Sequence, residues 1–389
     1  MRGRGTCYPS DASRYVATYH LDLCLTAARL MKRSYYLFSN ARLARHQNSL
    51  RLERATDART PGRLPDDDGT PSGRPTGEKV PFPIESVESL YCFGEIDINT
   101  KLITFLAQHH VPAFFFDYYG HYTASLYPRE HLLAGRLKVA QVAHHTDPDD
   151  RLTLARAFVR AGLHNIRRVL KYYATRLDHP TDRVSTAEAE IADLEQQARF
   201  ASDILTLMGC EGQARTTYYS TWPALLGPAG EAFPFVRRSR QPPSNELNAL
   251  ISFGNSLCYT ACLRQLYHTA LDPTVSYLHE PGDRRFSLAL DLAEVFKPVL
   301  VDRAIFRLIK TRQIQPTHFE DRLGGTYLSE SGRKIFVEHW DDRLRQTIKH
   351  RSLGRNVSYE RLIRLDAYKL VRHLCDPDAD PFQGLQMWW

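Results

Sequence analysis

The spacing of apolar side chains changes character once along this chain. Up to residue 127 they alternate with polar ones in short runs, as strands require; beyond residue 128 they recur every three to four positions, as helices require. The first clear strand is SYYLFS, residues 34–39. SLRLERA (49–55) and VPFPIESVESLYCFG (80–94) continue the pattern with β-branched and aromatic content. A short helix follows in DINTKLITFLAQHHV (97–111), where Asp97 or Asn99 is placed to cap and Leu102, Ile103, Phe105 and Leu106 form the apolar face. PAFFFDYYG (112–120) and YTASLYP (122–128) return to strand. The stretch 56–79, rich in Pro, Gly and Asp, reads as a long, mobile hairpin insertion. Residues 1–30 precede the strand pattern and read as an extension outside the fold, with Met31 as the start of the folded part.

Every segment after Pro128 reads as helix. Residues 151–177 keep a continuous 3.6-residue apolar period. Residues 185–209 open on a capping-box-like Ser185, Thr186 and Glu188 and stop at Gly209. Residues 245–270 form a largely buried helix, and the segment after Phe286 continues through Pro298 toward residues 301–310. Helices at 329–350 and 358–374 close the chain. No repeat of about 20–50 residues is present. The expected fold class is α+β: a small β-sandwich-like domain at 31–127, then a larger all-α domain at 128–389.

Composition narrows the function classes. The 389 residues exceed what one compact core usually supports, which agrees with two domains. Lys and Arg number 51 against 44 Asp and Glu, a net charge of +7 that permits a polyanionic partner without requiring one. Seven cysteines without a C-x-x-C argue against a disulfide framework or zinc finger and for a reducing cytoplasm. Cys258 and Cys262, four apart, read as a packed core pair. No apolar run approaches the ~18 residues a membrane span needs, and the N-terminus lacks the apolar region of a signal peptide.

Against that background YLHEPGDRRFSLALDLAEVF, residues 277–296, poses a problem. Leu288, Leu290, Leu292, Val295 and Phe296 mark a buried helix, yet Asp291 and Glu294 sit three apart on it. Buried carboxylates need partners. Arg284, Arg285 or Arg303 can pair them, a helix from the other domain can supply a cation, or a divalent metal can sit there with His279. His279 precedes the acids by twelve and fifteen residues, which is no compact metal motif, so spacing alone favours salt bridges. Glu211, between Gly209 and Gly212, is either a carboxylate at a helix N-terminus or a third oxygen ligand. A histidine with carboxylates suits Mn²⁺ or Mg²⁺ better than structural zinc.

MGCEGQAR (208–215), NALISFGNSLCYTACL (248–263), YLHEP (277–281) with RRFSLALDLAEVFKP (284–298), and GRNVSYERLIRLDAYKL (354–370) together resemble a known family. It is the CRISPR-associated integrase family of spacer acquisition, the first of the numbered Cas proteins, in its type I-like branch. YYLFSNARLARHQNSL (35–50), FGEIDINTKLITFL (93–106) and DYYGHYTASLYPRE (117–130) resemble the same family. The similarity runs in order over residues 31–389; residues 1–30 and 56–79 have no counterpart. The resemblance implies that Glu211, His279 and Glu294 hold the metal, Mg²⁺ or Mn²⁺. The family often has Asp at the last position, and Glu keeps the ligand type. Asp291 matches a neighbouring acid of the catalytic set, a supporting ligand. Tyr259 matches a tyrosine near the active site; a packed core aromatic is its plainer explanation.

The implied reaction is transesterification, in which the 3′-hydroxyl of a DNA fragment attacks a phosphodiester of the repeat array. The implied partners are double-stranded DNA, a second copy of the chain and the second numbered Cas protein, with a companion end-trimming nuclease as an optional addition. The implied location is a prokaryotic cytoplasm. Candidate DNA contacts are Arg237, Arg238 and Arg240, then Arg284 and Arg285, then Arg361 and Arg364 with Tyr368 and Arg372 along one helix line; a solvated helix face is the alternative for each. Two other functions stay open: a non-catalytic DNA-binding scaffold with its acids paired to arginines, and a general metal-dependent repair nuclease that cuts branched DNA without joining ends.

Overall fold

The computed structural model describes residues 32–389 apart from 56–74, 130–131, 133, 178–181, 241 and 283–285. The extension assigned to residues 1–30, most of the insertion, Arg284 and Arg285 therefore lie outside the described residues.

Two four-stranded sheets build the N-terminal part. One has the order β1 (Arg33–Leu37), β5 (Val87–Cys92), β7 (Ala113–Phe116), β8 (Tyr122–Leu126). Its first three strands are parallel and β8 is antiparallel. The other has the order β4 (Pro75–Pro83), β3 (Ser49–Ala55), β2 (Ala41–His46), β6 (Ile96–Asp97). Strand β4 pairs Pro75 with Ala55 and Lys79 with Glu53, so it begins inside the stretch assigned to the insertion. Helix α1 (Thr100–Gln108) is capped by Asn99, whose side chain accepts from Leu102 N at 3.0 Å.

Alternation along the strands explains how this part meets the rest. Leu37, Leu90 and Ala113 of the first sheet face Leu43, Leu50 and Phe82 of the second, with Leu102 and Phe105 of α1 closing the sandwich. Tyr91, Phe114 and Phe116 point the opposite way and join the helical core. The first sheet is thus buried on both faces. Arg264, 1% exposed, fixes the joint: it donates to the hydroxyls of Ser34 and Ser89 and to Glu360.

The helical body comprises α2 (Gly135–Thr146), α3 (Pro148–Ala174), α4 (Asp182–Phe200), α5 (Ile204–Ser220), α6 (Trp222–Leu226), α7 (Glu246–Tyr267), α8 (Ser287–Lys297), α9 (Arg303–Lys310), α10 (Glu330–Arg345) and α11 (Tyr359–Cys375). It is mostly helical but not wholly so. Strands β9 (Phe319–Arg322) and β10 (Gly325–Leu328) form one ribbon, and β11 (Thr347–Lys349) with β12 (Asn356–Ser358) another. Pro298 has no N–H to give, and the chain passes from α8 to α9 through one π-helical turn, Pro298–Asp302, as the continuous pattern predicts. Cys258 and Cys262 are buried and free, as expected of a packed pair.

The C-terminal segment docks on its own chain. Phe382, Leu385 and Met387 are buried, and the Trp389 ring lies 4.3 Å from the Arg303 guanidinium. Asn165 of α3 ties this tail to α8: it donates to Val295 O and Leu385 O at 2.9 Å and accepts from Met387 N at 2.8 Å. No helix among the described residues is long and apolar enough to cross a membrane.

Candidate active site

Helix α8 packs against α3 and α7, so nearly every side chain on it is buried; Asp291 is 0% and Glu294 8% exposed. The two acids have different partners. Asp291 Oδ2 accepts from Tyr277 N at 2.7 Å and Leu278 N at 3.0 Å. Its Oδ1 accepts from His279 N at 3.0 Å and faces His279 Nδ1 at 2.8 Å. One carboxylate thereby fixes the loop before α8 and the ring of the histidine on it. With Nδ1 holding the proton toward Asp291, Nε2 is the nitrogen left to ligate. Burial works against the charged imidazole, but the hydrogen bond and charge of Asp291, then the charge of Glu294, outweigh it and raise the pKa.

Glu294 meets cations instead. It accepts from Lys297, one turn on, and from Arg215 of α5. Arg215 also donates to Glu211, four residues before it on the same helix. One guanidinium therefore joins Glu211 to Glu294 across two helices. Burial raises the Glu294 pKa, yet Arg215 and Lys297 overcome it and hold the carboxyl at about 2. Arg215 is also buried, which disfavours its charge, but Glu294 and Glu211 raise its pKa well above the ordinary range.

Two expectations are corrected here. The helix expected to stop at Gly209 instead breaks at residues 201–203. Asp203 caps a new helix by accepting from Thr206 N at 2.8 Å. Helix α5 then runs through both glycines, which a helix interior tolerates at a cost of about 1 kcal/mol each. Glu211 lies two turns inside, away from the N-terminus. The cations pairing Glu294 are Arg215 and Lys297, not Arg303, which lies over Tyr172 and Trp389 at 4.3 Å.

Among the described residues, no three His, Cys, Asp or Glu side chains stand ready to hold a metal ion as they are placed. Glu211 and Glu294 are instead turned onto Arg215 and Lys297. The donor chemistry nevertheless fits a divalent ion. Two carboxylates and an oriented imidazole come together, and the cations now seated on the acids carry the same charge as one such ion.

The other predicted residues divide by their contacts. Tyr259 accepts from Phe286 N at 3.1 Å, just before α8, and its ring meets Tyr122. Arg238 is spent on its own loop, donating to Asn248 Oδ1 at 3.0 Å and Ser252 Oγ at 2.9 Å. Arg364 ties α11 to the first sheet through Glu88 at 3.0 Å and to Gln265 at 2.6 Å. Tyr368 donates to His268 O at 3.0 Å, and Arg372 lies 3.3 Å from Asp380. Arg361 is half-buried, and burial lowers its pKa. Arg237 and Arg240 are exposed. None of these arginines belongs to the acid cluster. The residues that sequence reasoning missed are Arg215, Lys297 and Asp302. Arg215 follows Glu211 by four and Lys297 follows Glu294 by three, spacings that were available as a signal. Asp302 carried none, since only the fold brings it near Arg215.

The model of the family described as CRISPR associated protein Cas1 matches residues 35–342. A CRISPR-associated endonuclease Cas1 of Moorella thermoacetica is 44% identical over 358 residues, covering 92% of this chain and all of that protein. Among solved structures, a CAS1 protein from Thermotoga maritima is 36% identical with a TM-score of 0.75, over 91% of this chain and 100% of that one. A casposase bound to integration product shares the fold at a TM-score of 0.75 and 20% identity, over 92% and 94% of the two chains. The chain belongs to the Cas1 family of CRISPR-associated endonucleases.

Proposed function

We propose that this protein is a metal-dependent DNA integrase and endonuclease that inserts short DNA fragments as new spacers into a CRISPR repeat array. The observation that carries this is a single guanidinium joining Glu211 to Glu294, beside a histidine aimed by Asp291. Glu211, Glu294 and Nε2 of His279 would hold Mg²⁺ or Mn²⁺. A bound divalent ion lowers the pKa of the attacking 3′-hydroxyl and neutralises the phosphoryl oxygens. Asp291 is a positioning residue: it holds the imidazole in the tautomer that leaves Nε2 free. Lys297 supplies positive charge beside the scissile phosphate. The 3′ oxygen forms the new bond to phosphorus, the bond to the displaced 3′ oxygen breaks, and with water as attacker the same site hydrolyses. Exposed Arg237 and Arg240 are the residues best placed for phosphate contact. The chain works as a homodimer with the second numbered Cas protein, and the 31–127 and 128–389 parts serve as its two domains.

The test is strand transfer of a labelled fragment into a repeat-containing plasmid, with that partner present, in Mn²⁺ or in EDTA. Labelled plasmid is expected in Mn²⁺ and none in EDTA. A non-catalytic scaffold, which the cations on both acids would suit, binds the DNA equally in both buffers and joins nothing. A repair nuclease cuts branched DNA and leaves no joined product.

A further inference from the structure

The two cations on the acids raise a question the proposed reaction leaves open: where Arg215 goes when a metal arrives. Glu211 and Glu294 carry two negative charges, which Arg215 and Lys297 balance. A divalent ion on the same carboxylates would bring the same two charges. With Arg215 still in place the pocket would hold an uncompensated excess of positive charge, which a buried site tolerates badly. Moving the guanidinium onto a further carboxylate halves that excess while Lys297 stays in place, and for this it needs a partner within reach.

Asp302 lies there. It is 1% exposed, on the π turn that follows α8, and its Oδ2 makes no hydrogen bond among the described residues. The charges it feels are those of Arg215, Lys297 and Glu294, and the Tyr218 hydroxyl lies beside it and lowers its pKa as a hydrogen-bonding neighbour. Buried carboxylates left unsatisfied are rare and costly. Burial pushes its pKa up to about 7 while Arg215 pulls it down, so it is poised to ionise if that cation moves closer.

We propose that Arg215 stands in for the metal between Glu211 and Glu294 in the metal-free protein, and that metal binding transfers its guanidinium to Asp302. This rests on the metal site proposed above. Arg215 keeps two converging carboxylates from repelling one another before the ion arrives, and Asp302 accepts it afterwards. The exchange sets metal affinity below what the bare ligands would give, because the ion must displace an internal competitor.

The test compares wild type, Arg215→Gln, Asp302→Asn and Glu211→Gln by Mn²⁺ calorimetry and by thermal unfolding with and without Mn²⁺. Arg215→Gln should unfold at lower temperature without metal, gain more from Mn²⁺ than wild type, and bind it about tenfold tighter. Asp302→Asn should be no less stable without metal and bind Mn²⁺ about tenfold more weakly. A merely structural Arg215 would lower stability equally in both conditions and would not tighten binding. Equal affinity of wild type and either variant overturns the exchange. If Arg215→Gln does not fold, Asp302→Asn decides alone. Wild type that binds no Mn²⁺ overturns the metal site itself. Wild-type binding that Glu211→Gln abolishes, with no shift in the other two variants, sinks only the exchange.

Discussion

Two arginines that bridge elements do opposite things in this molecule. Arg264 is sealed at the joint between the first sheet and the helices, 1% exposed, with Ser34, Ser89 and Glu360 as partners. Arg215 also bridges elements through carboxylates, but its cluster opens to solvent: the side chains of Glu211 and His279 are 23% and 26% exposed. At the joint one glutamate answers one arginine, with two serine hydroxyls and the Gln265 amide completing the contacts. At the site two glutamates answer one arginine, a lysine is added, and an imidazole is held alongside by Asp291. Similar ion pairing serves as a fastener where it is closed off from solvent and, in the function proposed above, as a preformed cation site where an edge stays reachable.

The comparison can be broken from either side. Replacing Glu294 by Gln should cut strand transfer at least about a hundredfold, since it removes a ligand outright; joined product at wild-type yield would make the cluster a fastener too. Replacing Arg264 by Ala should leave Glu360, its side chain 21% exposed, with Gln265 as its remaining donor and cost about 2–3 kcal/mol in urea denaturation, while the folded fraction still binds Mn²⁺. A loss of metal binding without a loss of stability would reverse the two assignments. Asp291→Asn keeps an acceptor for the backbone N–H groups but weakens the hold on the imidazole. Metal affinity should fall by about 10–100-fold, read by calorimetry.

The smallest expected effect is a pH dependence. Asp302 has its folded-state pKa raised by burial from 3.8 to about 7, so between those values the folded protein binds more protons than the unfolded chain. The stability this contributes is fully present below the unfolded value and is lost as pH rises to about 7. Asp302→Asn should flatten the metal-free stability profile across that window. An unchanged slope would show that the group is not poised as described.

Much of the frame was legible in the sequence because local rules suffice for it. Asn99 caps its helix, the change of period at residue 128 marks where a strand-rich part gives way to a mostly helical one, and Pro298 passes a helix on instead of ending it. Strands of three or four residues, such as β9–β10 and β11–β12, are too short to show a period. Gly209 was misleading because an exposed helix glycine and a helix stop look alike in sequence; Asp203, not the glycine, marks the boundary. Asp291 and Glu294 were legible as a buried pair, and the family resemblance alone gave them separate roles; their partners were not legible. Asp291 turns to a loop twelve residues back, and Glu294 to an arginine 79 residues away that reaches it because α5 and α8 both pack on α3.

The central claim is that Glu211, drawn to Glu294 from a different helix, completes a catalytic metal site. Strand transfer by Glu211→Gln, in Mn²⁺ and matched to wild type by urea midpoint, tests it most directly. No joined product from a folded variant is the result predicted here. Product at the wild-type rate would contradict it and leave the cluster a structural ion pair.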